Sequence, residues 1–126
     1  MLRGAAKYVR ANAQAPYSGC HVGTALDDET GATHSGCNVE NASYPECICA
    51  AENVIGSMVT AGGKRIVAIA AIDGETEIEA CTPCGGHRQR ILELSDDTTQ
   101  FIVIGAGNSI DRFSINELLP AGFRLR

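Results

Sequence analysis

The sequence lacks a long apolar run, a cluster of basic residues and any repeated or low-complexity segment. A transmembrane helix needs about 20 predominantly apolar residues, and residues 1–10 carry scattered charges where a signal peptide has its apolar core. The sequence has ten lysines and arginines and 15 aspartates and glutamates, which gives a formal net charge of −5. Proteins bind polynucleotides through clustered basic side chains, so this charge disfavours a nucleic-acid partner. We therefore expect a cytoplasmic protein with no membrane and no nucleic-acid partner.

A break in composition is also missing. We expect residues 1–126 to form a single domain, because 44% hydrophobic residues suffice for one core. In a cytoplasmic chain of this size, the six cysteines are better explained by metal binding and reduced thiols than by disulfides. We interpret Cys20, Cys37 and Cys47 as structural or pocket-lining thiols.

The spacing of apolar residues predicts both helices and strands. Three- and four-residue spacings predict a helix over residues 2–14, and the apolar run of residues 65–72 predicts a central strand covered on both faces. The other predicted elements are a hairpin of residues 20–26 and 32–39, helices beginning near residues 50 and 83, strands over 100–105 and 112–115, and a closing turn over 117–120. This order predicts an α/β fold, a three-layer α/β/α sandwich with a mixed five-stranded sheet.

Two cysteines and a histidine stand at the predicted starts of two helices. Cys84 and His87 are three residues apart, so a helix would place their side chains on one face, and Pro83 suits the first turn of that helix. Cys49 precedes the helix-like residues 50–59, and two positive helix ends facing one point would stabilise thiolates. We predict that Cys49, Cys84 and His87 bind one Zn²⁺ ion.

Three protein ligands leave the fourth tetrahedral position of zinc for water, as in catalytic sites. The pattern therefore favours a hydrolytic enzyme. Two other interpretations stay open. The cysteines could be ordinary buried thiols beside a surface histidine, or Cys81 and Cys84 could form a redox-active Cys-x-x-Cys pair ahead of a helix.

Asn38 and Glu40 are spaced as alternate residues of an extended segment, which places them on one side of the backbone. A carboxylate beside an amide is a good receptor for the vicinal hydroxyls of a sugar. The alternative is a solvated loop.

With these residues in view, the chain resembles the small, homotetrameric type of cytidine deaminase along nearly its whole length, and blasticidin S deaminase more faintly. The matching segments are YS at residues 17–18, VG at 22–23, GCNVENASY at 36–44, CA at 49–50, TPCG at 82–85, RQ at 88–89 and LLP at 118–120. In zinc deaminases generally, a zinc-activated water attacks C4 of the cytosine ring and ammonia leaves, while a Glu that is not a ligand transfers protons.

The resemblance implies a role for individual residues of this chain. It implies zinc on Cys49, Cys84 and His87, a sugar bound by Asn38 and Glu40, a pyrimidine ring near Tyr44 and the Ala50 backbone, and a Phe123 that packs into a neighbouring subunit's pocket. It also implies a cytosine nucleoside substrate, a role in pyrimidine salvage, and a homotetramer whose active sites are completed across subunits.

Ala51 stands where the family has its proton-transferring Glu. Glu52 follows, but one further residue along a helix is turned by about 100°, so we expect it to point away from the metal. Loss of the carboxylate is expected to lower the rate by at least roughly 10²–10⁴-fold. We interpret the chain as a deliberately inactivated variant that still holds substrate. The alternatives are a natural nucleoside-binding pseudoenzyme and a local shift that lets Glu52 serve.

Three further positions differ from the family. His87 replaces a third Cys, which removes one thiolate charge and should make the bound water more acidic. Glu52 stands where many relatives have an Arg that offsets thiolate charge. Cys20, followed by His21, replaces a bulky Phe of the pocket, so there is room for a larger, N4-substituted or blasticidin-like nucleoside.

Overall fold

The computed structural model describes residues 2–73, 84–104 and 110–125. The elements are α1 (Leu2–Arg10), β1 (Val22–Asp28), β2 (Thr33–Cys37), a 3-10 turn (Tyr44–Glu46), α2 (Ala50–Thr60), β3 (Ile66–Asp73), α3 (Gly85–Glu93), β4 (Gln100–Ile104), β5 (Ile110–Ser114) and α4 (Ile115–Leu118). The longest helix in these ranges has 11 residues, and none is long and apolar enough to cross a membrane.

The five strands form one mixed sheet in the order β2-β1-β3-β4-β5. β1 pairs antiparallel with both β2 and β3, β3 pairs parallel with β4, and β4 pairs antiparallel with β5. The apolar strand β3 therefore lies in the middle of the sheet, where a strand is covered on both faces. The predicted α/β fold with a mixed five-stranded sheet is confirmed.

Alternate residues of the central strands pack against helices on opposite faces. Leu26 and Ile69, which are partners in the β1–β3 register, belong to a core cluster that includes buried residues of α2, α3 and α4. Their neighbours Ala25 and Ala70, also partners, pack instead with α1. Because side chains alternate along a strand, the helices form separate layers on the two faces of the sheet, as predicted.

Glycines allow α1 and α2 to lie directly against the strands. A Cβ atom on Gly36 of β2 would lie 2.7 Å from the backbone nitrogen of Val54 in α2, and one on Gly23 of β1 would lie 2.0 Å from the carbonyl oxygen of Ala6 in α1. Any larger residue at these positions would push a helix away from the sheet. The close approach at Gly36 holds α2, whose first residues line the candidate site, against the sheet.

The first helix is shorter than predicted. It ends at Arg10, and the backbone N–H of Gln14 donates to the Asn38 carbonyl at 3.0 Å while Gln14 in turn accepts from the Glu40 N–H at 2.8 Å. These bonds require an extended backbone at Gln14, so the helix cannot continue to residue 14. They also attach the segment of Asn38 and Glu40 to the rest of the domain.

The predicted closing turn over residues 117–120 is only partly present, because the short helix α4 covers residues 117 and 118, and a bend and a turn follow it. The Ser114 hydroxyl accepts from the Glu117 N–H at 3.2 Å, and the Glu117 carboxylate accepts from the Ser114 N–H at 3.0 Å. This capping box satisfies the free N–H groups of the first turn, while Ile115 and Leu118 are buried. The spacing of Ser114 and Glu117 was a readable signal for it.

Candidate active site

The N-termini of α2 and α3 each carry a cysteine as the residue that immediately precedes the helix. Cys49 caps α2 and Cys84 caps α3, both with extended backbone dihedral angles. The prediction that helices begin at these two cysteines is confirmed. A thiolate at either position would be favoured by the positive end of the helix. Pro83 and Cys81, on which the helix-start and redox predictions also depend, lie outside the described residues.

His87 lies in the first turn of α3, beside Cys84. The Sγ atom of Cys84 is 3.1 Å from Nδ1 of His87, so both donors leave the same side of the helix. Burial lowers the pKa of the His87 imidazole, which favours the neutral ring that binds metals.

Cys49 approaches His87 from the other helix, in a group of close donor atoms that includes Glu52 and does not include the Cys84 sulfur. The Sγ of Cys49, a ring nitrogen of His87 and a carboxylate oxygen of Glu52 all lie within 4.8 Å of one another. Burial raises the pKa of the Cys49 thiol, and the Glu52 carboxylate and Cys84 raise it further. A divalent cation supplies the positive charge that such thiols need in order to bind as thiolates. Two sulfurs and one imidazole are also an ordinary donor set for catalytic zinc, so these residues fit that ion.

The expectation that Glu52 points away from this cluster was wrong. Its side chain folds back over the first turn of α2, and Oε1 accepts the backbone N–H of Cys49 at 3.1 Å. The 100° rotation applies to the Cα–Cβ direction, but a glutamate at the third helical position is long enough to reach back to the capping residue. The spacing of Cys49 and Glu52 matches a capping box with cysteine in the usual place of serine.

A cavity of about 210 Å³ lies between the sheet and the N-termini of α2 and α3. It is lined by Val22, Thr24, Asn38, Cys49, Ala50, Ala51, Ile69, Ala71, Cys84, His87 and Phe101. The cavity therefore brings the three predicted metal ligands together with three other predicted site residues, Asn38, Ala50 and Ala51. Its floor consists of alternate strand residues that the sequence analysis missed, such as Ile69 and Ala71.

The Asn38 side chain is held at the edge of this cavity by its own amide group. Its Oδ1 accepts the backbone N–H of Val22 at 2.9 Å, and its Nδ2 donates to the Cys20 carbonyl at 2.8 Å. Both ends of the amide are therefore oriented before any ligand arrives.

Glu40 binds the neighbouring loop of its own chain. Oε1 accepts the N–H groups of Tyr17 at 3.0 Å and Ser18 at 3.1 Å, and Oε2 accepts the Ser18 hydroxyl. The bond from that hydroxyl, followed by the one from the Ser18 N–H, lowers the pKa of Glu40. Glu40 is thus a carboxylate at neutral pH, but it is not among the residues that line the cavity.

The other three predicted site residues lie outside the cavity wall as well. Tyr44 is 71% exposed and makes an edge contact with Tyr17, with ring centroids 6.3 Å apart. Cys20 is exposed, and Phe123 is 70% exposed, its carbonyl accepting from the Gln89 side chain at 2.8 Å. Their predicted roles require a bound nucleoside or a second subunit.

Comparison with known proteins decides the family. A model of the cytidine and deoxycytidylate deaminase zinc-binding region matches residues 2–103. The chain belongs to this family. The cytidine deaminase of Halalkalibacterium halodurans is 34% identical over 123 residues, which cover 98% of this chain and 92% of that protein.

Solved structures agree with this assignment over nearly the whole chain. A cytidine deaminase from Burkholderia pseudomallei has 40% identity and a TM-score of 0.88, with 97% of this chain and 96% of that chain covered. One from Mycobacterium tuberculosis has 35% identity and a TM-score of 0.85, with 99% and 96% covered. The chain is therefore an aminohydrolase of the cytidine deaminase type, and its cofactor is zinc.

Proposed function

We propose that this chain is a zinc-dependent nucleoside deaminase in which Ala51 has removed the proton-transferring group. Cys49, Cys84 and His87 would hold the zinc, which when bound supplies the Lewis acidity that makes water nucleophilic at neutral pH. The observation that carries the proposal is the cavity itself, because Ala51 lines it beside all three of these residues.

The size and lining of the cavity support a ring-shaped ligand. Small-molecule pockets commonly measure roughly 300–1,000 Å³, so a cavity of about 210 Å³ suits one heterocycle with its sugar outside. Ile69, Ala71 and Phe101 form an apolar floor, and the oriented amide of Asn38 lies at the rim. Glu40, on the same extended segment, accepts three hydrogen bonds from its loop, and would bind a sugar hydroxyl with the remaining acceptor site of Oε2.

Among the described residues, the wall of the cavity has no carboxylate that could move a proton, because Ala51 stands at that position. A methyl group neither accepts a proton from water nor delivers one to the ring nitrogen and the leaving amine. We therefore propose that the chain binds a cytosine nucleoside but turns it over slowly. Its rate should be lower than that of a chain with Glu at position 51 by roughly 10²–10⁴-fold or more. A natural pseudoenzyme that binds a nucleoside without turnover is the alternative. The preference for a larger substrate because of Cys20 stays a prediction.

The exposed C-terminal segment supports assembly into a homotetramer. Phe123 and Leu125, two residues apart, are 70% and 84% exposed, and a patch of exposed apolar side chains marks a site of protein–protein contact when it is large. We propose that Phe123 enters the site of a neighbouring subunit. The mass of the protein in solution, and its decrease in Phe123→Ala, would test this.

The function is tested by restoring the missing carboxylate. Ala51→Glu should raise the rate of cytidine loss, followed by ultraviolet absorbance, by at least about 10²-fold, whereas Ala51→Gln, which has the same size but cannot transfer protons, should stay near the starting rate. If Ala51→Glu binds one zinc per chain and still converts no cytosine nucleoside, the proposed substrate class is wrong.

A further inference from the structure

Glu52 contacts both helices of the metal cluster. One carboxylate oxygen accepts the Cys49 N–H at 3.1 Å on α2, and the other lies 3.4 Å from Nη2 of Arg90 on α3. Arg90 follows His87 by three residues, so it lies on the same side of α3. The Glu52–Arg90 pair thus connects the first turn of α2 with the last turn of α3, the two helices that supply Cys49, Cys84 and His87.

The carboxylate is also close enough to act on an ion held by these residues. One of its oxygens lies within 4.8 Å of both the Cys49 sulfur and a His87 ring nitrogen. At that distance a negative charge attracts a divalent cation strongly, because the site is partly removed from water. Both oxygens already have protein partners, however, which is the usual situation of a residue that supports ligands without being one.

Glu52 lies outside the wall of the substrate cavity. It lines a separate surface groove along α2 with residues such as Asn53 and Ser57, and it is not among the residues of the cavity wall. A ring bound in the cavity would therefore contact Ala51 and not Glu52. This placement argues against Glu52 as a substitute for the missing proton-transferring Glu.

We propose that Glu52 is a positioning residue of the metal centre, which holds Cys49 through its backbone N–H and adds negative charge behind the cation. The inference rests on the proposed zinc site. It assigns to Glu52, with Arg90 as its partner, the tuning of zinc affinity and not proton transfer.

The test compares two variants that each remove one carboxylate charge. Glu52→Gln keeps an acceptor for the Cys49 N–H but removes the charge, and Glu93→Gln makes the same change at an exposed position near the end of α3. Zinc affinity is measured by competition with a chromophoric chelator, and unfolding temperature is measured alongside. We expect Glu52→Gln to bind zinc about 10–100-fold more weakly, the usual effect of losing such a partner, and Glu93→Gln to bind it as the unaltered chain does.

Cobalt substitution separates positioning from ligation. The tetrahedral absorption bands of the Co²⁺ protein should be the same in Glu52→Gln as in the unaltered chain. Zinc affinity equal to that of Glu93→Gln, or loss of the tetrahedral bands, would overturn the positioning role. If the unaltered chain itself binds no zinc, the proposed site fails, which is a different result from a Glu52→Gln variant that binds normally.

Discussion

The sulfur of Cys84 lies 3.1 Å from Nδ1 of His87, within the first turn of one helix. Donor atoms at this separation can share one ion, since two ligands at about 2.0–2.3 Å from zinc in tetrahedral geometry lie 3–4 Å from each other. An ion shared by these two atoms would lie at the positive end of α3 and next to the cavity.

Removal of a proposed ligand should abolish stoichiometric zinc binding. Cys49→Ser, Cys84→Ser and His87→Ala each leave only two of the three donors, which is too few for a tightly held zinc. The zinc content of purified protein after dialysis against a chelator measures this. Cys20→Ser is the matched control, because Cys20 is an exposed thiol outside the cavity wall, and it should retain about one zinc per chain. Zinc loss in Cys20→Ser alone would contradict the assignment.

A methyl group at Gly36 should disturb the site from a distance. In Gly36→Ala the new Cβ would meet the Val54 nitrogen at 2.7 Å, so α2 must move and carry Cys49 with it. Overpacking of this kind costs about 1–3 kcal/mol, and zinc affinity should fall as well. Chemical denaturation and chelator competition measure the two effects.

Gly56 provides the control for this substitution within the same helix. A Cβ there would have nothing within 4 Å, and alanine is favoured over glycine in a helix by about 0.8–1 kcal/mol. Gly56→Ala should therefore stabilise the protein and leave zinc affinity unchanged. If both variants behave alike, the close packing at Gly36 does not control the position of α2.

The buried carboxylate of Asp28 should make the free energy of unfolding decrease at low pH. This buried carboxylate accepts bonds from the Thr30 N–H at 2.8 Å and the Thr30 hydroxyl at 2.6 Å, and its other oxygen lies 2.8 Å from Nε2 of His34. The Thr30 hydroxyl, followed by His34, holds the pKa of Asp28 far below its usual range. The Asp28 carboxylate therefore stays ionised in the folded chain at pH values where the same group binds a proton in the unfolded chain.

The sign of the effect follows from this difference. The contribution of Asp28 to stability is complete above about pH 3.9, the ordinary value for Asp, and is lost as the pH falls towards the depressed value. Asp28→Asn should lower the unfolding midpoint at neutral pH and flatten the decline in acid, whereas Asp111→Asn, at an exposed position of β5, should do neither. An unchanged acid limb in Asp28→Asn would contradict the argument.

Glu40 should contribute to nucleoside binding apart from its contacts with the Tyr17 loop. A hydrogen bond to a charged group contributes about 1.5–3 kcal/mol, so Glu40→Gln should weaken cytidine binding by roughly 10–100-fold in calorimetry. Ser18→Ala removes one loop contact and keeps the carboxylate, and we expect nearly unchanged affinity. Equal losses in the two variants would show that Glu40 acts only by ordering the loop.

The order of helices and strands and the three candidate metal ligands could be predicted from the sequence. The spacing of Cys84 and His87, and the position of Cys49 before a helical run, are local features that survive folding. The predicted direction of the Glu52 side chain was wrong, because the direction of a Cα–Cβ bond does not determine where the end of a long side chain lies. The capping bond of its carboxylate decided that position.

The rest of the site depends on relationships between distant segments. Ile69 and Phe101 line the cavity because β3 and β4 are parallel neighbours with these residues in register, which periodicity within one strand cannot reveal. The roles predicted for Tyr44, Cys20 and Phe123 depend on contacts made by a nucleoside or by a second subunit. They stay predictions.

X-ray absorption at the zinc edge of the purified, unaltered chain tests the central claim most directly. The account predicts one zinc per chain with two sulfur neighbours at about 2.3 Å and the remaining neighbours, nitrogen or oxygen, at about 2.0–2.1 Å. A shell of three sulfurs would mean that another thiol binds the zinc in place of His87. A shell without sulfur, or a protein that retains no zinc, would contradict a centre built from Cys49, Cys84 and His87.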